Sequence, residues 1–228
     1  MTVEVAAGVV LVVAPLWFNA NFALLGKRFD YPNILRRPAA EILERFQAGG
    51  PSLIVLWWTF MVSGLLLIAA VVLLGQAMGF AGVVPVAVTV GVLAGLVQML
   101  GLLRWVYLVP ALARAHGDPA ASSEQREAHA IVFRAFHQYL GVGVGEHLGY
   151  LFTGIWSLLI GIGIIQGTAL RSWLGWPGVV IGAGLIIGSA EFLGPNEEKG
   201  WAPAGVAIPA LYVMWSVWLL AMGIALIA

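Results

Sequence analysis

Ser52–Leu74 reads SLIVLWWTFMVSGLLLIAAVVLL. No residue in this stretch is charged, and its few hydroxyls can bond to their own helix. A hydrocarbon core of about 30 Å takes about 20 apolar residues in a helix. The stretch therefore predicts a membrane-crossing helix, and the chain around it predicts five more. They are Val3–Leu25 and Val83–Leu103 (running on toward Leu108 or Leu112). The fourth has a core of Leu140–Ile165 inside about 135–167. The last two are Trp173–Leu193, short and rich in Gly, and Ala204–Ala228.

Composition agrees. The 228 residues are 61% hydrophobic and 10% charged, with mean hydropathy +0.96. A soluble domain carries about 25% charged residues, so this chain could not cover a water-facing surface. The expected fold is all-α: one integral membrane domain over residues 1–228, built as a six-helix bundle. Formal net charge is zero, so no nucleic-acid partner is expected. Cys is absent, which removes disulfides, thiolate metal sites and a cysteine nucleophile.

The connections carry their own signals. Between spans one and two lies Arg36-Arg37-Pro38-Ala39-Ala40-Glu41-Ile42-Leu43-Glu44-Arg45-Phe46, closed by Gly49-Gly50-Pro51. A proline opens a helix well, and Ile42, Leu43 and Phe46 share one face. This predicts a short interfacial helix lying on the membrane. Before span four, Ser122 or Ser123 is placed to cap a helix that runs into the membrane. Basic residues set orientation. Lys27, Arg28, Arg36, Arg37, Arg45, Arg114, Arg126, Arg134 and Lys199 fall at one end, against Arg171 alone at the other. The first span lacks a basic lead-in and a small-residue cleavage site, so it reads as an anchor rather than a removed signal. The expectation is that the basic end faces the cytoplasm and both termini lie outside.

Helix contact inside lipid depends on small residues. Gly141, Gly145 and Gly149 repeat at four-residue spacing. Gly91 with Gly95, Gly178 with Gly182, and Gly184 with Gly188 repeat likewise. These faces pack helices within one chain or, alternatively, join two copies in a homodimer. Trp17, Trp57, Trp58, Trp105, Trp173, Trp176 and Trp201 lie near span ends, where amphipathic rings settle at the interface.

Polar residues within the spans carry the functional signal. Each ionisable group near the bilayer centre costs about 2.5–3.5 kcal/mol on insertion scales, and such groups mark functional sites by default. Asn19, Asn21, Gln98, Arg104, His137, Glu146, His147 and Glu191 all lie in the half nearer the basic end. At about 100° per residue, Tyr139, Gly143, Glu146, Tyr150, Thr153 and Ser157 form one stripe of span four. These residues suggest a polar pocket open to the cytoplasm and centred on Glu146. Glu146 and His147 are the candidate catalytic groups, with Arg104 or His147 balancing the carboxylate. Gln98, Arg104, His137, Tyr139, Tyr150, Asn19 and Glu191 are the candidate ligand contacts. A structural alternative stands beside this: the same groups tie helices together, with Arg104 and Glu146 as an ion pair.

No metal is expected. His129 and His137 share a helix face but stand about 12 Å apart along the axis, and no His-x-x-x-His pair exists. Neither lysine falls within a span, so a retinal Schiff base is not expected, and Gly141-x-Gly143-x-Gly145 follows no strand. The sequence assigns no cofactor.

Three strings resemble a known family: Arg37-Pro38-Ala39-Ala40-Glu41-Ile42-Leu43, Gly101-Leu102-Leu103-Arg104-Trp105, and above all Gly145-Glu146-His147-Leu148-Gly149-Tyr150. Together with Phe136-His137-Gln138-Tyr139, they resemble a bacterial multi-span membrane family catalogued only as a domain of unknown function. The resemblance runs from about Phe22 to Leu193. It implies a bacterial cytoplasmic membrane and no chemistry. Three functions remain open: a binder or enzyme acting on a small amphipathic or lipid-like molecule, a proton-coupled transporter, and a non-catalytic scaffold.

Overall fold

Helix caps and breakers set the elements of a computed structural model covering residues 1–228. The first span is α1, Val3–Phe29, closed by Asp30 in the left-handed region with φ 55°. A 3₁₀ turn, Asn33–Arg36, leads into α2, Ala39–Ala77. Next, α3 (Val84–Leu103) passes through a π-helical turn, Arg104–Leu108, into α4 (Val109–His116). Then α5 (Ser123–Phe136) passes through a longer π-helical segment, His137–Leu148, into α6 (Gly149–Gln166). The fifth span, Ser172–Phe192, contains α7 (Gly175–Gly188), and α8 is Ala202–Ile227.

Six of these continuous helices are long and apolar enough to cross a membrane. Ser122 is the N-cap of α5. Its Oγ accepts from the Gln125 N–H at 3.3 Å and its own N–H donates to Gln125 Oε1 at 2.9 Å, a reciprocal capping box.

The expected interfacial helix is the first part of α2. At Gly50 the backbone turns to φ 59°, ψ −161°, and the span begins at Pro51. That region of backbone space is essentially restricted to glycine. A Cβ at Gly50 would meet nothing within 4 Å, so the cost of a side chain there is backbone strain alone. Gly50→Ala is expected to destabilise by about 1–3 kcal/mol, read as a lower midpoint in a thermal melt of the detergent-solubilised protein. An unchanged midpoint would mean that the bend does not depend on glycine.

The apolar face of this helix is turned to protein rather than lipid. Ile42, Leu43 and Phe46 are buried. Phe46 packs on Phe29 and on Trp105, each with ring centroids 5.8 Å apart. The helix thus caps the basic end of the bundle. This corrects the reading of two tryptophans: Trp57 and Trp105 are fully buried, stacked 4.5 Å apart at 8°, because the cap covers the span ends where they sit. Trp17, Trp58, Trp173, Trp176 and Trp201 are exposed, as interface rings are.

The spans form a ring in chain order. α1 packs on α2, α2 on α3, α3 on α6 and the π segment before it, α6 on α7 and α7 on α8, while α8 returns to α1. Glycines make the closest approaches. A Cβ on Gly8 would lie 2.7 Å from Gly223 O, one on Gly64 2.8 Å from Gly95 O, and one on Gly154 2.8 Å from Gly182 O. Span four presents its glycines to span three in antiparallel order: Gly141 against Arg104, Gly145 against Gly101, Gly149 against Gln98. Gly184 and Gly188 meet Leu211 and Ile208 of α8. The glycine faces singled out for a homodimer are therefore occupied within the chain.

The core is divided in two. One apolar cluster includes Leu11, Leu67, Ala94, Trp156, Leu185 and Trp215. The other includes Leu25, Phe60, Trp105 and Phe133, at the basic end. Along each of the first four spans a polar interval separates them: Asn19 and Asn21, then Ser63, then Gln98 and Arg104, then His137 through Thr153.

Candidate functional site

Most polar groups of this layer are spent on tying helices. Asn21 donates to Trp17 O at 2.9 Å, and its Oδ1 accepts from Thr59 Oγ1 at 2.7 Å, joining spans one and two. Asn19 donates to Ser216 Oγ at 3.0 Å, joining spans one and six. Gln98 donates to Thr153 Oγ1 at 3.1 Å. The His147 Nδ1 lies 2.7 Å from Ser189 O, which fastens span four to the end of span five. Trp215 donates to Ser157 Oγ at 3.0 Å.

Glu146, Glu191 and Arg104 differ from these. The ion pairs of the chain are Arg37–Glu41, Arg45–Glu41 and Arg134–Glu127, all on side chains at the basic end. Arg104 and Glu146 are not within ion-pair distance of each other or of any other charged group. Arg104 is 6% exposed. Its Nη1 donates to Gly101 O, its Nε is buried without an acceptor, and its Cζ lies 5.2 Å from the centre of the Trp105 ring. Glu146 is half-buried.

A collar of aromatic rings joins the spans near this layer. Tyr150 packs on Tyr212 at 5.7 Å and Tyr212 on Phe18 at 6.1 Å. Phe18 packs on Phe60 at 5.2 Å, and Phe60 on Tyr31 at 6.1 Å. Every one of these except Phe60 is half-buried. Two surface clefts, of about 290 and 280 Å³, open elsewhere at the basic end. They are lined by Phe46, Gln47 and Arg114 and by Asp118, Gln125 and His129 respectively, and Glu146 lines neither.

The structure thus commits Asn19, Gln98 and His147 to helix contacts and leaves Arg104 and Glu146 without an ion-pair partner. Glu191 is buried, with Oε1 placed so that a Cβ on Gly205 would lie 3.2 Å from it. That is the first turn of α8, where a carboxylate suits the helix dipole. His137 stacks on Phe133 at 5.4 Å and 17°. Tyr139 is 69% exposed and stands apart from the cluster. The reason is the π-helix. Its i→i+5 bonds put more residues in each turn than an α-helix has. Over the interval from Tyr139 to Glu146 this accumulates to roughly a third of a turn, which carries Tyr139 off the Glu146 face.

Tyr31, Tyr212 and Phe18 are absent from the sequence-level site. Tyr31 follows the end of α1 and reaches the collar only because the chain folds back there. Tyr212 and Phe18 read as ordinary apolar-face residues of spans six and one.

No curated protein and no solved structure matches this chain. One family model, described as Domain of unknown function (DUF4386), matches residues 6–223. With a match over nearly the whole length, the chain is a member of that multi-span membrane family.

Proposed function

We propose that this protein binds a small amphipathic or lipid-like molecule in a polar intramembrane pocket centred on Glu146, and that Glu146 serves there as the acid or base. The observation that carries this is the division of labour in the polar layer. Asn19, Asn21, Gln98 and His147 each bond to a neighbouring residue. Arg104, Glu191 and Glu146 have no ion-pair partner, and Arg104 and Glu191 are buried while Glu146 is half-buried. A structural glue would satisfy its charged members first, because a buried charge without a partner costs several kcal/mol. Charges held ready and unspent are what a binding site requires.

In this reading the chain sits as one domain in a bacterial inner membrane. The basic end faces the cytoplasm, as the distribution of Lys and Arg supports, and the pocket opens to that side. The collar of half-buried rings supplies the apolar wall and Glu146 the reactive group.

The test is native mass spectrometry of protein extracted in mild detergent. A co-purifying molecule is expected on the wild type. Its occupancy should fall roughly tenfold in Glu146→Gln, the loss expected for one charge-assisted hydrogen bond, with the melting midpoint nearly unchanged. A bare polypeptide mass, together with a Glu146→Gln variant that no longer folds, would return the layer to a structural role.

A further inference from the structure

At the elbow of α2 the fold leaves a cleft whose wall changes character with depth. The capping part of α2 ends at Gly50, and the membrane-crossing part starts at Pro51. α4 packs against α2 here as the chain leaves span three. Between them opens the cleft of about 290 Å³, whose lining includes Phe46, Gln47, Pro51, Ile54, Pro110 and Arg114. Pro51 and Ile54 lie in the first turn of the crossing part, and Pro110 in the first turn of α4. Arg114 stands four residues beyond Pro110, roughly 6 Å farther from the membrane-crossing part of span three. Gln47 reaches the same level: a Cβ on Gly117 would lie 3.7 Å from the Gln47 Cγ. The cleft thus has an apolar floor where span two begins and a rim of one cation and one amide nearer to water.

The rim has a charge to spare. Arg114 is exposed and in no ion pair, whereas Arg37, Arg45 and Arg134 at the same end each have a carboxylate partner. No lining residue is acidic. A guanidinium keeps its charge at physiological pH, and its fork matches phosphate oxygens. On the same side of span two as Pro51, Val55 and Trp58 are 58% and 48% exposed. They extend the apolar floor as a track into the bilayer. The volume is near the lower end for ligand pockets, about 300–1,000 Å³, which suits a head group whose chains lie outside.

We propose that this elbow cleft seats one anionic phospholipid of the leaflet at the basic end, with its phosphate on Arg114 and Gln47 and its chains along Val55 and Trp58. A neutral lipid leaves Arg114 unmatched, and an ammonium-bearing head group finds no acid in the lining. A soluble phosphate compound gains nothing from the apolar track. The lipid touches the capping helix and α4 at once, so it braces the cap against span three. The seat is separate from the Glu146 pocket and does not depend on it.

The experiment is native mass spectrometry of delipidated full-length protein, reading the first adduct with four probes added separately. They are dioleoyl phosphatidylglycerol, dioleoyl phosphatidylethanolamine, diolein and glycerol 3-phosphate. Phosphatidylglycerol is expected to bind about tenfold more tightly than either other lipid, the worth of one charge-assisted contact, and to raise the melting midpoint. Arg114→Gln should remove that preference, Arg114→Lys should keep part of it, and Gln47→Glu, which sets an acid on the rim, should lower it. Arg28→Gln removes an exposed cation of α1 that is also outside the ion pairs, and it should leave the preference unchanged. Equal losses from Arg28→Gln and Arg114→Gln would overturn the cleft in favour of diffuse attraction to the basic end. A loss in Glu146→Gln instead would place the lipid in the other pocket and overturn this seat. Phosphatidylglycerol binding no more tightly than phosphatidylethanolamine or diolein would overturn the anionic head group, and glycerol 3-phosphate binding as tightly as the lipid would overturn the lipid. Arg114 and Gln47 are exposed, so their variants are expected to fold, and the ranking of probes on the wild type stands without them.

Discussion

Gly101→Ala is expected to destabilise the protein by about 1–3 kcal/mol through overpacking, and Gly101→Val by more. A Cβ at Gly101 would lie 2.6 Å from the Gly145 Cα and 3.0 Å from Leu140 O. Both obstacles are backbone, so no side-chain rotation relieves them, and spans three and four must part. The reverse substitution is milder. A Cβ at Gly145 meets the Gly101 Cα and Leu140 O at 3.3 Å, a contact that a small shift accommodates. Gly143→Ala, two residues away, meets nothing closer than Gln138 O at 3.6 Å and should be nearly neutral. Thermal melts of the three alanine variants in one detergent should rank Gly101 as the least stable, Gly145 next, and Gly143 indistinguishable from wild type. Equal midpoints for Gly101→Ala and Gly143→Ala would mean that these spans do not touch where the structure brings them together.

The same contact shows what could be read from the sequence. Four-residue glycine spacing identifies a packing face whether the turn is α or π, because both widths keep every fourth residue on roughly one side. Gly141, Gly145 and Gly149 were therefore legible, as were the six spans, which depend only on length and apolarity. The Tyr139 stripe was not. Its assignment needs the angle per residue to hold over two turns, and the π-helical segment His137–Leu148 changes that angle without any change in hydropathy. Glu146 and Arg104 were legible as costly residues. That they stay unpaired was not, since Arg104 has the length to reach a carboxylate and only the fold decides whether it does. Tyr31 depends on how the chain returns after α1, a tertiary fact with no periodic signal.

Trp105→Ala should cost about 3–5 kcal/mol, or a fall of roughly 10 °C in melting midpoint for a chain of this size. The ring is fully buried. It stacks on Trp57 at 4.5 Å, touches Phe29, Phe46 and Phe133 edge-on or stacked within 6.0 Å, and lies under the Arg104 guanidinium at 5.2 Å. Removing it opens a cavity where the capping helix, three spans and the Arg104 guanidinium meet. Trp105→Phe separates packing from polarity. It keeps an aromatic floor under Arg104 and deletes Nε1, which has no acceptor on the chain. An unpaired donor contributes nothing to the fold, so the phenylalanine variant should lose less than a third of what alanine loses. A phenylalanine variant as unstable as the alanine one would mean that the indole nitrogen is engaged within the protein.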